Sequence, residues 1–175
     1  MKSDHEAKKD LFQYWLMEMR DRLDELIEKL PKELQLDYSP DSLLRLESWI
    51  LKNYATVGDI LKDSEKTTLD SLARYVGEVY RRKLKGKWKL YLDVPDNVFY
   101  ELPVIMVETE LVPPICPLTE VIASVDRRRG NYIYNLFQKK MKRMDEKLNK
   151  EKVGRFVRGL FNEMRRDESE REPGF

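Results

Sequence analysis

The residues best placed to do chemistry in this chain fall within one short segment, Tyr75-Val76-Gly77-Glu78-Val79-Tyr80-Arg81-Arg82-Lys83-Leu84-Lys85-Gly86-Lys87-Trp88. On a helix, positions three and four apart share a side, so Glu78 stands beside Arg74, Arg81 and Arg82. Its carboxylate can then orient a guanidinium through charge-assisted hydrogen bonds. The structural reading, which is the simpler, is an internal ion pair that locks this helix to the following strand, with Trp88 as ordinary core. The functional reading is a polar pocket in which arginine holds an anion or a carboxylate while Tyr75 or Trp88 supplies a wall. General-base chemistry at Glu78 lacks a companion, because no histidine, lysine nucleophile or paired carboxylate accompanies it at a recognisable spacing. Ala73 and Gly77, four apart, cut a notch in the same helix where another backbone can approach. A glycine inside a helix costs roughly 1 kcal/mol relative to alanine, so a packing or functional gain must offset it.

Other reactive side chains are isolated. With one cysteine, Cys116, and one histidine, His5, neither an internal disulfide nor a histidine-rich metal site can form, and no metal or cofactor is expected. Cys116 lies among prolines and reads as an unreactive loop or core thiol. His5 belongs to an expected disordered start. Asp93 with Glu108 and Glu110 resembles the carboxylate set of metal-dependent nucleases, but the lysine expected two residues after an acid is missing. No phosphate-binding glycine-rich loop is present, and glycines number only 7.

The elements that must position these residues follow from periodicity. Phe12, Leu16, Met19, Leu23, Leu26 and Leu30 step by four and three, predicting a helix over 7–30 that Pro31 ends. Ser39-Pro40-Asp41-Ser42 is a helix start, with a hydroxyl cap, proline in the first turn and an early acid. It opens a helix to about residue 54. A third helix is expected over 67–84, with Gly86 at the left-handed position past its end. The period then changes to two: Trp88, Leu90 and Leu92 alternate with Lys87, Lys89 and Tyr91, predicting a half-buried strand over 87–92. Further strands are expected over 98–102 and 104–107, interrupted by Pro103. A helix from 118 to about 129 follows a proline loop. Two amphipathic helices are then expected, one carrying Ile133, Phe137, Met141, Met144 and Leu148, the other Val153, Phe156, Val157, Leu160, Phe161 and Met164. The expected fold is α+β: an N-terminal helical layer, a small antiparallel β-sheet and two amphipathic C-terminal helices, as a single domain over 1–166 with a flexible tail over 167–175.

Charge is balanced in total, 33 Lys+Arg against 32 Asp+Glu in 175 residues, but not along the chain. Residues 127–166 carry 14 basic against 4 acidic side chains, whereas residues 1–126 carry 18 against 24. Arg155 and Arg158 belong to the basic part, which can meet phosphates or an acidic partner, or simply form solvated helix faces. No run approaches the about 18 apolar residues of a membrane span, and the first residues offer no apolar core of a signal peptide. The expectation is a soluble cytoplasmic protein that does not enter a membrane.

The ordered set Leu36-Asp37-Tyr38-Ser39-Pro40-Asp41-Ser42-Leu43, then Tyr75-Val76-Gly77-Glu78-Val79 with Arg81 and Arg82, then Gly86-Lys87-Trp88, resembles a pattern of small uncharacterised bacterial cytoplasmic proteins, some found beside immunity-type or contact-dependent systems. The resemblance covers residues 36–108. It implies an α+β domain and supplies no catalytic residues. The chain differs from that pattern in having Lys85-Gly86-Lys87 where a second glycine is usual, and in its long basic C-terminal helices. The expected function is a non-enzymatic protein-binding module with an immunity or regulatory role, using Tyr75, Glu78, Arg81, Arg82, Trp88, Arg155 and Arg158. The alternative is a nucleic-acid-binding protein that uses the basic C-terminal helices.

Overall fold

The structure, a computed structural model, describes residues 3–169. A predominantly helical α+β arrangement is laid around one central helix, α5 (Lys66–Leu84), defined below with its neighbours. Ser3 opens α1 (Asp4–Met17) through a capping box with Glu6, so the helix begins earlier than expected and includes His5 rather than leaving it disordered. The single helix expected over 7–30 is two, α1 and α2 (Met19–Lys29), separated at Glu18. In the last turn of α1 the Trp15 carbonyl accepts a hydrogen bond from Arg74 Nη1 at 2.6 Å. A side chain that takes a carbonyl from the helical ladder is a standard cause of such a break. The apolar seam itself is as predicted: Phe12, Leu23, Leu26 and Leu30 are buried.

After a single 3-10 turn at Lys32–Leu34, α3 (Pro40–Asn53) starts as its sequence predicts, with Ser39 Oγ accepting from the Ser42 N–H at 3.2 Å. A one-turn helix, α4 (Val57–Ile60), is capped by Thr56. α5 is then enclosed over most of its length, with Leu72, Tyr75, Val76, Val79 and Tyr80 fully buried. That degree of enclosure marks it as the core of the molecule, packed by α2 and by α6 (Pro117–Arg127).

Between α5 and α6 stand β1 (Lys87–Leu90) and β2 (Pro103–Met106), an antiparallel pair with Trp88 opposite Ile105. Trp88 and Leu90 face inward and Lys87 and Lys89 outward, as the period of two requires. Pro103 opens β2, where a missing N–H is tolerated. The strand expected over 98–102 is instead a run of turns, because Asn97 Oδ1 takes the Phe99 N–H at 2.8 Å and the Asn97 carbonyl takes the Tyr100 N–H at 2.9 Å. Asparagine competes with strand pairing in this way. Gly86 also plays a different part from the one expected. Lys85 takes the left-handed conformation, with φ 54°, and Gly86 permits close approach: a Cβ there would stand 2.5 Å from Ile105 Cγ2.

The last helix, α7 (Tyr132–Ser169), is one element of 38 residues where two were expected. No proline interrupts it, and Gly154 and Gly159 are carried within it, since glycine weakens a helix without removing a hydrogen bond. Its first turn is held by Glu47, fully buried, whose two carboxylate oxygens accept the N–H groups of Tyr132 at 3.0 Å and Ile133 at 2.9 Å. This satisfies orphan donors at the positive end of the helix. The tail expected from 167 therefore begins inside α7, and its residues 170–175 lie outside the described residues. Arg128, also left-handed with φ 49°, turns the chain between α6 and α7 and donates to the carbonyls of Leu51, Tyr54 and Ala55. Among the described residues no helix is long and apolar enough to cross a membrane.

Candidate functional site

Glu78 sits near the C-terminal end of α5, where the helix meets β1. Its side chain is only 5% exposed, and both oxygens are engaged. Arg81 donates through Nε to Oε1 at 2.7 Å and through Nη2 to Oε2 at 2.9 Å, a two-pronged pairing set by the spacing of three residues. Trp88 Nε1 donates to Oε1 at 2.8 Å, and Arg82 Nε reaches Oε2 at 3.4 Å. Burial pushes the Glu78 carboxyl up, but the hydrogen bonds from Arg81 and Trp88 and the two positive charges outweigh it and hold the group below its ordinary value. The carboxylate is thus ionised and saturated with donors.

The notch formed by Ala73 and Gly77 receives a side chain rather than a backbone. A Cβ on Gly77 would stand 2.1 Å from Trp88 Cη2 and 2.2 Å from Cζ2. The glycine is therefore explained by the indole that packs against the helix there. Trp88 meets Trp15 edge-on, with ring centres 4.9 Å apart, and Trp15 in turn lies under the Arg74 guanidinium at 4.0 Å. Arg74, 1% exposed, is paired with Asp70 at 2.6 Å, and Asp70 also accepts from Trp15 Nε1 at 2.8 Å. The cavity left among Trp15, Asp70, Ala73, Trp88 and Pro117 is about 30 Å³, room for roughly one water. Arg74, which the helical spacing places beside Glu78, belongs to this interior cluster instead.

Tyr75 is fully buried behind Tyr38. Its hydroxyl donates to Ser42 Oγ at 2.8 Å and accepts the Tyr38 N–H at 2.9 Å, and the two tyrosine rings stack at 4.9 Å. Tyr38 has a φ of 60°, a left-handed conformation rarely adopted by an aromatic residue. Arg82 covers the outer face of that ring, its Cζ 3.6 Å from the centre. Arg81 and Arg82 remain 40% and 45% exposed while Glu78 and Tyr38 hold them. The structure thus brings Glu78, Arg81, Arg82 and Trp88 together and adds Tyr38, whose only sequence signal was its place beside Ser39-Pro40.

Arg155 and Arg158 stand elsewhere, exposed on α7 beyond Lys147, whose Nζ reaches the Glu108 carbonyl at 3.2 Å. Part of the basic charge expected on this segment has structural partners: Arg128 caps α3, and Lys140 pairs with Glu120 at 2.6 Å beside Tyr80. Cys116 is 1% exposed, and burial pushes its thiol up, away from reactivity. Among the described residues no group of three or more His, Cys, Asp or Glu side chains is placed to hold a metal ion. The fold and site define a small α+β chain with a pinned arginine pair at the junction of its central helix and its sheet. No family model matches the chain, and neither a curated protein nor a solved structure matches it.

Proposed function

We propose that this protein is a non-enzymatic binding module whose partner is an acidic protein, engaged by Arg81 and Arg82, in an immunity or regulatory role. One observation carries the reading. Two guanidiniums are fixed by a buried carboxylate and an aromatic ring and yet keep 40% and 45% of their surface open. Ordering a long side chain on binding costs about 0.5–1.5 kcal/mol, and here much of that ordering is already present in the free protein. A planar, preorganised guanidinium is suited to a partner carboxylate. Glu78 acts as the positioning residue, since both its oxygens are occupied by donors from Arg81 and Trp88. The immunity or regulatory role rests on the resemblance of residues 36–108. Charge reversal at Arg81 and Arg82, with the fold verified by circular dichroism, is expected to abolish recovery of the partner in a pull-down. Undiminished recovery would refute the surface.

The exposed basic run of α7, including Lys139, Lys142, Arg143, Arg155 and Arg158, favours a second reading, binding to nucleic acid. That reading requires retention of nucleic acid on purification and an affinity that falls steeply with salt. Charge reversal at Arg155 and Arg158 separates it from the first, because those residues are remote in sequence from the Glu78 network.

A further inference from the structure

α7 carries two apolar stripes on opposite sides. In its first half Ile133 and Phe137 are buried against the body, with Met141 and Met144 packed beside them. At about 100° per residue, Val153, Phe156, Val157, Leu160, Phe161 and Met164 come round on the other side of the helix. They are 45% to 67% exposed. The second stripe is therefore not an extension of the first: the body that covers the first lies across the helix from it. Val153, Val157, Leu160 and Met164 step by four, three and four, the seam of a coiled coil, and Phe156 and Phe161 widen it. Arg155 lies on the face opposite the seam, whereas the Arg158 guanidinium folds back over Gly154 and Arg165 covers the Phe161 ring at 4.9 Å, both along one flank of the seam. A helix lying on an anionic membrane would profit from cations along the rims of its apolar arc. The four-three-four stepping of the seam, which a membrane surface does not require, favours a helical partner.

We infer that this seam pairs with the same seam of a second copy of the chain, with the two helices antiparallel. The charges at its ends select the direction. Three residues before Val153 the seam position is Lys150, and three residues after Met164 it is Asp167. Parallel pairing sets Lys150 against Lys150 and Asp167 against Asp167. Antiparallel pairing sets Val153 against Met164, Val157 against Leu160, and Lys150 against Asp167 at both ends, so that every layer is apolar or oppositely charged. The six apolar side chains expose on the order of 600 Å² on one copy, at the upper limit of what monomers leave open, and pairing two buries about 1,200 Å², the lower limit of a specific interface. Pairing also supports the roughly 20 residues beyond Lys147, which as an isolated helix containing two glycines would be marginal.

The test uses the full chain in sedimentation equilibrium at tens of micromolar and physiological salt. A dimer is expected. Leu160→Glu should be monomeric with an unchanged unfolding transition of the body. Lys150→Asp should weaken the dimer at least tenfold, and Lys150→Asp with Asp167→Lys should restore it. A chain carrying both Val153→Cys and Met164→Cys should form a disulfide-linked dimer on mild oxidation, while Val153→Cys alone, about 16 Å from its counterpart in the antiparallel pair, should not. A monomer at every concentration, or cross-linking through Val153→Cys alone, would overturn the inference. So would a monomeric chain that sediments with phosphatidylserine vesicles, which would assign the stripe to a membrane surface.

Discussion

Replacing Gly77 by alanine tests whether the glycine exists for Trp88. In an ordinary exposed helix the change stabilises by about 1 kcal/mol. Here the added methyl would stand 2.1 Å from Trp88 Cη2 and 3.0 Å from Pro117 Cγ, distances that no rotamer adjustment of the alanine can relieve. The indole must move, and its hydrogen bond to Glu78 at 2.8 Å moves with it. Overpacking of this kind costs about 1–3 kcal/mol, and a lost hydrogen bond to a charged group about 1.5–3 kcal/mol. Set against the propensity gain, the net expectation is a destabilisation of about 2–4 kcal/mol. For a chain of this size that lowers Tm by roughly 5–15 °C. Urea unfolding followed by circular dichroism measures it, and native tryptophan emission should shift to the red as Trp88 leaves its site. In a Trp88→Ala background, where only the Pro117 contact at 3.0 Å remains, the cost of the same Gly77→Ala change should fall to less than about 1 kcal/mol. A Gly77→Ala protein more stable than the parent, with Trp88 present, would refute the reasoning.

Two further expectations follow from buried carboxylates. Glu47→Ala removes the acceptor of two N–H groups at the start of α7 and should cost about 2–4 kcal/mol, with faster amide exchange at Tyr132 and Ile133 as the local signature. Glu78 is held below its ordinary value of 4.5, so its contribution is fully present above that value and is lost as pH falls through the lower folded value. The stability difference between the parent and Glu78→Gln, measured by urea unfolding, should therefore be constant from neutral pH down to about pH 5 and shrink on further acidification.

What the sequence made legible was what local geometry dictates. Ser39-Pro40 started α3 where expected because a hydroxyl cap and a proline act on their own turn. The Glu78–Arg81 pair could be read from its spacing because a helix brings those positions together whatever surrounds it. Contacts between distant residues left no such trace. The break after α1 depends on Arg74, 59 residues away from the Trp15 carbonyl it takes. Tyr38 enters the site because its ring is held between Tyr75 and Arg82, which no pattern around residue 38 foretells. The continuity of α7 was missed for a different reason. The apolar stripe changes sides between Met144 and Val153, which reads as two helices when the period alone is followed.

The claim that Arg81 and Arg82 form a preorganised receptor for carboxylates is tested most directly with synthetic peptides carrying paired glutamates, titrated against the protein by fluorescence anisotropy at low and physiological salt. Binding is expected to weaken as salt rises and to be lost in Arg81→Gln with Arg82→Gln, while Arg155→Gln with Arg158→Gln binds as the parent does. Equal binding by the parent and the Arg81 and Arg82 variant, or no binding by the parent even at low salt, would contradict it.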